Sequence, residues 1–247
     1  MDIIILIIAA FGAGALNTVA GGGTFLTLPA LIFIGIPPVA ANATSAVAVF
    51  PGYAGGALGF LPEMRSFDRS LLLRLTLVTL AGGLVGSLLL MVSSDAAFSV
   101  IVPFLLLAAT LVFLWGERIR GWAAATTHGV APYGNIALFA VAVYGGYFNG
   151  GLGIVLLALF ALWGMTDLHR MNGLKSGLSF ALSGISVMAF AVAGLVEWNA
   201  AIVMMLAATA GGYAGAPLAR HIPMRTLRFI IATIGFGMSA IFFFHAF

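Results

Sequence analysis

Lys175 is the only lysine in this chain of 247 residues, and it stands about five residues into an apolar run. An ammonium at the centre of a bilayer costs about 2.5–3.5 kcal/mol on insertion scales, so an intramembrane cation is a functional candidate by default. A bound anion about 4 Å away would gain roughly 4 kcal/mol at an effective dielectric of about 20. The competing reading is that Lys175 snorkels to the headgroups, which its depth permits. Asn172 and Ser176 flank it, and Asn149 precedes it. Asn17, Asn42, Thr44 and Ser45 form a similar polar set in the first half of the chain.

Two glycine-rich breaks accompany these residues, Ala20-Gly21-Gly22-Gly23 and Asn149-Gly150-Gly151-Leu152-Gly153. Glycine lets the backbone turn sharply and lets a ligand come close. Irregular backbone inside a bilayer persists only when buried in protein or lining a cavity. A half-helix follows each break, starting at about Thr24 and Ile154. Its free N–H groups and positive dipole end suit an anion. The candidate substrate-binding residues are therefore Gly21, Gly22, Gly23, Thr24, Asn42, Thr44, Ser45, Gly150, Gly151, Asn172 and Lys175. Asp167, His169 and Arg170, just ahead of the Lys175 helix, read as a solvated loop or, more sharply, as a cytoplasmic gate or proton relay. Gly82 with Gly86, and Gly211 with Gly215, have the spacing of close helix packing.

The elements that must position these residues are membrane helices. The chain is 62% apolar and only 7% charged, with a mean hydropathy of +1.17. Soluble domains carry about 25% charged and about 45–50% apolar residues. A soluble enzyme and a nucleic-acid module are excluded, and a lipid bilayer is the implied surrounding. The net charge of +3 comes from ten cations scattered among apolar runs, so it reports topology. There is no Cys, and His128, His169, His221 and His245 lack metal-ligand spacing, so neither metal nor cofactor is expected. The segment after Met1-Asp2 lacks a cationic flank and reads as retained rather than as a signal peptide.

Shifting the chain by 129 residues places Ala81-Gly82-Gly83 and Gly86 on Ala210-Gly211-Gly212 and Gly215, Gly35 on Gly164, and Asp68 on Glu197. A duplication follows, with repeat one at 1–115, a cytoplasmic linker at 116–131 and repeat two at 132–247. Three spans are expected per repeat, at about 40–61, 70–92 and 97–115, then 170–195, 199–219 and 227–246. Ahead of each trio lies a pair, 3–19 with 24–35 and 136–148 with 154–164. The second member of each pair is too short for a span of roughly 20 residues. If each pair crosses once, the ten Lys/Arg split five to five between the faces. If each pair enters and returns, all ten fall on or near one face, and Asp2, Asp95 and Glu197 on the other. Short cytoplasmic loops collect Lys and Arg, which selects the second arrangement. The expected fold is an all-α polytopic membrane protein of two inverted-topology repeats. Each is a broken or re-entrant helix pair plus three transmembrane helices, and both termini lie outside. Trp115, Trp122 and Trp163 then fall near the cytoplasmic interface and Trp198 near the outer one.

"AGGGTFLTLPALIFIGIPPVAANATS" and "YGGYFNGGLGIVLLALFALWGMTDLHRMNGLKSG" resemble the paired signatures of the TauE/SafE family of sulfite-exporter-like anion transporters, and "AGGYAGAPLARHIP" resembles its closing segment. The resemblance covers nearly the whole chain. It implies a multi-pass carrier in a prokaryotic inner membrane for sulfite, sulfonates or related small organosulfur anions. By position, Gly21, Gly22, Gly23, Asn42, Thr44 and Ser45 would be the first signature's polar core, and Gly150, Gly151, Asn172 and Lys175 the second's. Leu152 interrupts the second glycine run where a small residue fits the pattern.

The leading reading is a secondary transporter in which one repeat rocks against the other, coupled to a proton or sodium ion. No Walker A motif is present. The alternatives are a passive anion channel, a carrier of a different small anion, and an intramembrane enzyme on Ser183-Gly184, which lacks an evident base. The glycine faces also permit a homodimer.

Overall fold

The computed structural model describes residues 2–19, 23–125, 132–219 and 224–246. They form α1 (Asp2–Val19), α2 (Thr24–Phe33), α3 (Pro38–Gly59), α4 (Leu61–Arg65), α5 (Arg69–Val92), α6 (Asp95–Ala125), α7 (Asn135–Tyr147), α8 (Leu152–Leu162), α9 (Leu168–Val192), α10 (Trp198–Ala219) and α11 (Met224–Ala246). Among the described residues there is no strand. The six long apolar segments expected from the sequence are α3, α5, α6, α9, α10 and α11. The four shorter pieces are α1, α2, α7 and α8.

Two differences stand out. Helix α4 was not expected, and α6 runs on to Ala125, into the polar 116–131 stretch. Apolarity marks where lipid ends, whereas a helix ends only where its backbone bonds do. Trp163 is buried, packed between Phe160 and Tyr133 at centroid distances of 5.3 Å each.

Local chemistry sets the helix ends. Asp68 caps α5 by accepting from the N–H groups of Ser70 and Leu71, and Asp167 caps α9 through His169 and Arg170. Helix α3 opens on Pro37-Pro38, with proline pre-set for the first turn. Helices α2 and α8 both stop at a left-handed glycine, Gly35 (φ 91°) and Gly164 (φ 82°), where a side chain would be strained.

Helix α2 folds back on α1. A Cβ on Gly12 would lie 3.2 Å from Leu26 Cδ1, and one on Gly23 would lie 2.9 Å from Ala13 O. Fourteen residues of straight helix would separate positions 12 and 26 by about 21 Å, so the pair is a hairpin. Helix α8 returns on α7 in the same way, with Leu152 Cδ1 2.7 Å from a Cβ on Gly145.

The direction of each helix follows from its contacts. Helices α5 and α7 run parallel. Arg74 reaches Tyr133 O, Gly82 faces Phe139 O, and Gly86 faces the Tyr147 amide. Helices α3 and α9 run antiparallel, with Phe50 stacked on Phe180 and Gly56 beside Ser176. Two bonds gather Asp95 and Glu197 at the start of α3: Val39 N–H donates to Asp95 and Glu197 N–H to Thr44 Oγ1. Arg74 and Arg170, the latter 4.6 Å over the Phe67 ring, mark the opposite end. The bundle therefore has an acid end and a cation end among these residues. Its outer surface is apolar, exposing Ile3, Ile4 and Ile8 on α1 and Leu73, Leu77 and Leu88 on α5. Among the described residues, α5 and α9 are long and apolar enough to cross a membrane by length and composition. Helix α3 is as long as many spans, but its Asn42, Thr44, Ser45 and glycines dilute its hydropathy.

Candidate functional site

A cavity of about 420 Å³ opens where α3 carries Pro51 within the helix. Proline removes one helical N–H and clashes with the carbonyl four residues back. With Gly52, Gly55 and Gly56 following, this half of α3 leaves space beside it. Its wall includes Asn17 from α1, Tyr53 and Phe60, Gly153 at the first turn of α8, Lys175, Ser176 and Ser179 from α9, and Tyr213 from α10.

Lys175 supplies the cavity's charge. It is half-buried, and its Nζ donates to Asn172 Oδ1 at 2.9 Å. Among the described residues no carboxylate pairs with it. Ser179 follows one turn later, nearly fully buried, with its hydroxyl unpartnered. Asn17 braces the hairpin turn by accepting from Gly23 N–H at 2.8 Å. Tyr53 donates to Asn149 Oδ1, and Asn149 sits in the left-handed region at φ 62°. An ammonium, hydroxyls and an amide around one space can bind an anion through charge and directed donors.

Of the sequence-derived candidates, Lys175 lines this cavity and Asn172 holds it from beside. Gly21 and Gly22 lie outside the described residues. The others bond elsewhere. Asn42 donates to Tyr147 O, Thr44 accepts from Glu197 N–H, and Ser45 shares a 2.6 Å bond with Thr27. Gly23 O accepts from Thr27, and Thr24 is buried at the start of α2. Gly150 O accepts from Tyr144, and Gly151 starts α8 at φ 71°. None of these residues is among those that line the cavity. Asp167 caps α9, His169 is exposed, and Arg170 lies over Phe67. Ser183 is fully buried in α9 with its hydroxyl unpartnered.

Tyr53, Ser179, Phe60 and Tyr213 were missed. Ser179 could have been found four residues after Lys175 on the same helix face. Tyr53 follows Pro51-Gly52, a break that reads as a kink.

Gly82, Gly86 and Gly211 do the packing expected of them. A Cβ on Gly82 would lie 2.8 Å from Phe139 O, and one on Gly86 would strike Val143 O. A Cβ on Gly211 would strike Phe11 O on α1, as one on Gly14 would strike Ala208 O on α10.

Residues 6–242 match the family model described as "Sulfite exporter TauE/SafE". The chain belongs to this family. Its relatives include a "Probable membrane transporter protein" of Haemophilus influenzae, 27% identical over 96% of this chain and 92% of its own. The "Probable membrane transporter protein ORF9" of Sinorhizobium sp is 28% identical over 85% of this chain and 80% of its own. The Escherichia coli "Probable membrane transporter protein YfcA" is 27% identical over 96% and 87%. Membership settles the membrane character that the composition implied. No solved structure matches the chain.

Proposed function

We propose that this chain is a secondary transporter. It moves sulfite or a related small organosulfur or sulfonate anion by alternating access, in the export direction, from a site between its two halves. The observation that carries the reading is Lys175, an ammonium on the cavity wall whose partner is the neutral amide oxygen of Asn172. A bound anion would complete that charge, and the family name points to sulfur oxyanions.

Packing supports the repeats. Helix α1 packs on α10 as α7 packs on α5, and α3 meets α10 as α9 meets α5. The close approach of Gly82 to Phe139 O recurs as Gly211 to Phe11 O, displaced by 211 − 82 = 129 and 139 − 11 = 128 positions. The left-handed stops match too, since 164 − 35 = 129. Helix α3 starts at the acid end and α9 at the cation end, as inversion requires. In this reading the cation end is cytoplasmic, both termini lie outside, and the membrane is a prokaryotic inner membrane.

A carrier fits better than a channel. On α3 the cavity wall runs from Val49 to Phe60, while the Thr27–Ser45, Asn42–Tyr147 and Thr44–Glu197 bonds join helices nearer the acid end. Asn42, Thr44 and Ser45 then belong to the half-site that opens in the alternate state. The test is thermal stabilisation of purified wild type and Lys175→Ala by sulfite, sulfate, thiosulfate, sulfoacetate, taurine and chloride. A ligand at 100 times its dissociation constant adds about 2.7 kcal/mol. One sulfur oxyanion should stabilise wild type and not the variant. Stabilisation by none of them refutes the anion site. Absence of trans-stimulated exchange in liposomes, with net flux intact, would favour the channel.

A further inference from the structure

Lys175 differs from an ordinary binding cation because, among the described residues, it stands without a carboxylate. Of the helices packed on α9, α5 and α7 place no residue on the cavity wall. Helix α3 offers Tyr53, whose hydroxyl donates to Asn149. Helix α4 offers Glu63, which lies against Gly173 with Oε2 buried and unpartnered, and the exposed Arg65. Helix α10 offers the exposed Tyr213, α1 the neutral Asn17, and α8 only Gly153. On α9 itself, Asp167, His169 and Arg170 are exposed. Within the cavity wall, nothing anionic compensates the ammonium once a substrate anion leaves. An unpaired charge in such a place is unfavourable, and an amine relieves it by losing its proton. Lysine sheds a proton when buried, whereas arginine stays charged.

Building on the anion-carrier reading, we propose that Lys175 carries the coupling proton. The loaded carrier holds an ammonium–anion pair, and the empty carrier returns with a neutral amine. Each cycle binds one proton and one monoanion on one face and releases both on the other. The N–H bond of Lys175 forms as an O–H bond of hydronium breaks, and the reverse exchange releases the proton. The amine accepts the proton from water on the loading side and gives it back to water on the release side. Transport is then electroneutral and needs no acidic relay; the substrate's own gradient drives export, and an imposed pH gradient shifts how the anion distributes across the membrane.

The experiment uses proteoliposomes of the full chain, with the membrane potential clamped by valinomycin and potassium. The probe is labelled methanesulfonate, a permanent monoanion that brings no titratable proton. A trapped pH dye counts protons while the label counts anions. Wild type should move one proton per anion, and a gradient of one pH unit should sustain about tenfold accumulation. Lys175→Arg should exchange label at a reduced rate, with its proton count and accumulation abolished. Glu63→Gln should keep the wild-type ratio. Net anion flux in wild type without protons overturns the inference, even if Lys175→Arg fails to fold. A ratio of one in Lys175→Arg, or a ratio lost in Glu63→Gln, overturns it as well. Absence of any methanesulfonate exchange in wild type refutes the anion-carrier reading itself.

Discussion

Replacing Gly86 by alanine tests whether the α5–α7 seam is set by backbone contact. The new Cβ would strike Val143 O, and would lie 2.7 Å from the Tyr147 amide and 3.0 Å from the Gly146 carbonyl carbon. Ordinary contact begins at 3.4 Å, so α7 must retreat by at least 3.4 − 2.7 = 0.7 Å. Every opposing atom is helix backbone, which cannot rotate away as a side chain can. The retreat also pulls Tyr147 O from Asn42 and Gly146 O from Ser87. Overpacking costs about 1–3 kcal/mol, and a buried polar group left unpaired costs about 1–3 kcal/mol more. Taking about 3 kcal/mol in all, the melting temperature should fall by roughly 6–12 °C on the scale of 2–4 °C per kcal/mol. The assay is thermal unfolding in detergent, with Gly237→Ala as control because a Cβ there meets nothing within 4 Å. The control should stay within about 0.5 kcal/mol of wild type. A Gly86→Ala protein melting within about 2 °C of the control would refute the reasoning that this seam has no room to open.

Three further outcomes follow from the same geometry. The Ser70 hydroxyl, and then the Leu71 N–H, hold the Asp68 carboxyl below its ordinary value of 3.8. A depressed carboxyl stabilises the fold above its unfolded pKa, and that stability drains as pH falls through the folded one. Asp68→Asn keeps a competent cap, so it should melt near wild type at neutral pH and lose less below about pH 4; superimposed acid limbs would contradict this. Asn149→Gly should be milder than Asn149→Ala by about 1 kcal/mol in thermal unfolding, because φ 62° suits glycine; equal losses would place the whole effect in the lost Tyr53 bond. Thr44→Val removes the acceptor of the Glu197 N–H. Impermeant labelling of a cysteine placed at Val39, buried beside Asp95 at the acid end, should then rise several-fold, and unchanged labelling would argue that this bond does not close that end.

Ten of the eleven described helices were legible along the chain because lipid demands long apolar runs whose composition announces itself. The short second pieces α2 and α8 were legible for the same reason, being too short to span. Charge sorting anticipated the two ends, and the structure gathers Asp95 and Glu197 opposite Arg74 and Arg170. Lys175 was visible because a lone cation in an apolar run has few cheap explanations.

The rest depended on which helices touch. Asn42, Thr44 and Ser45 match Asn172 and Lys175 in pattern, yet here they bond to Tyr147, Glu197 and Thr27 while Lys175 faces open space. A similar motif supplies similar residue types, but different neighbouring helices give them unlike surroundings. Tyr53 and Tyr213 reach the cavity from helices far apart in sequence, and no local spacing encodes that meeting. Helix α4 and the extension of α6 escaped because neither is marked by apolarity. Composition decides what must be buried, while the choice between lipid, a neighbouring helix and a cavity is made only when the helices pack.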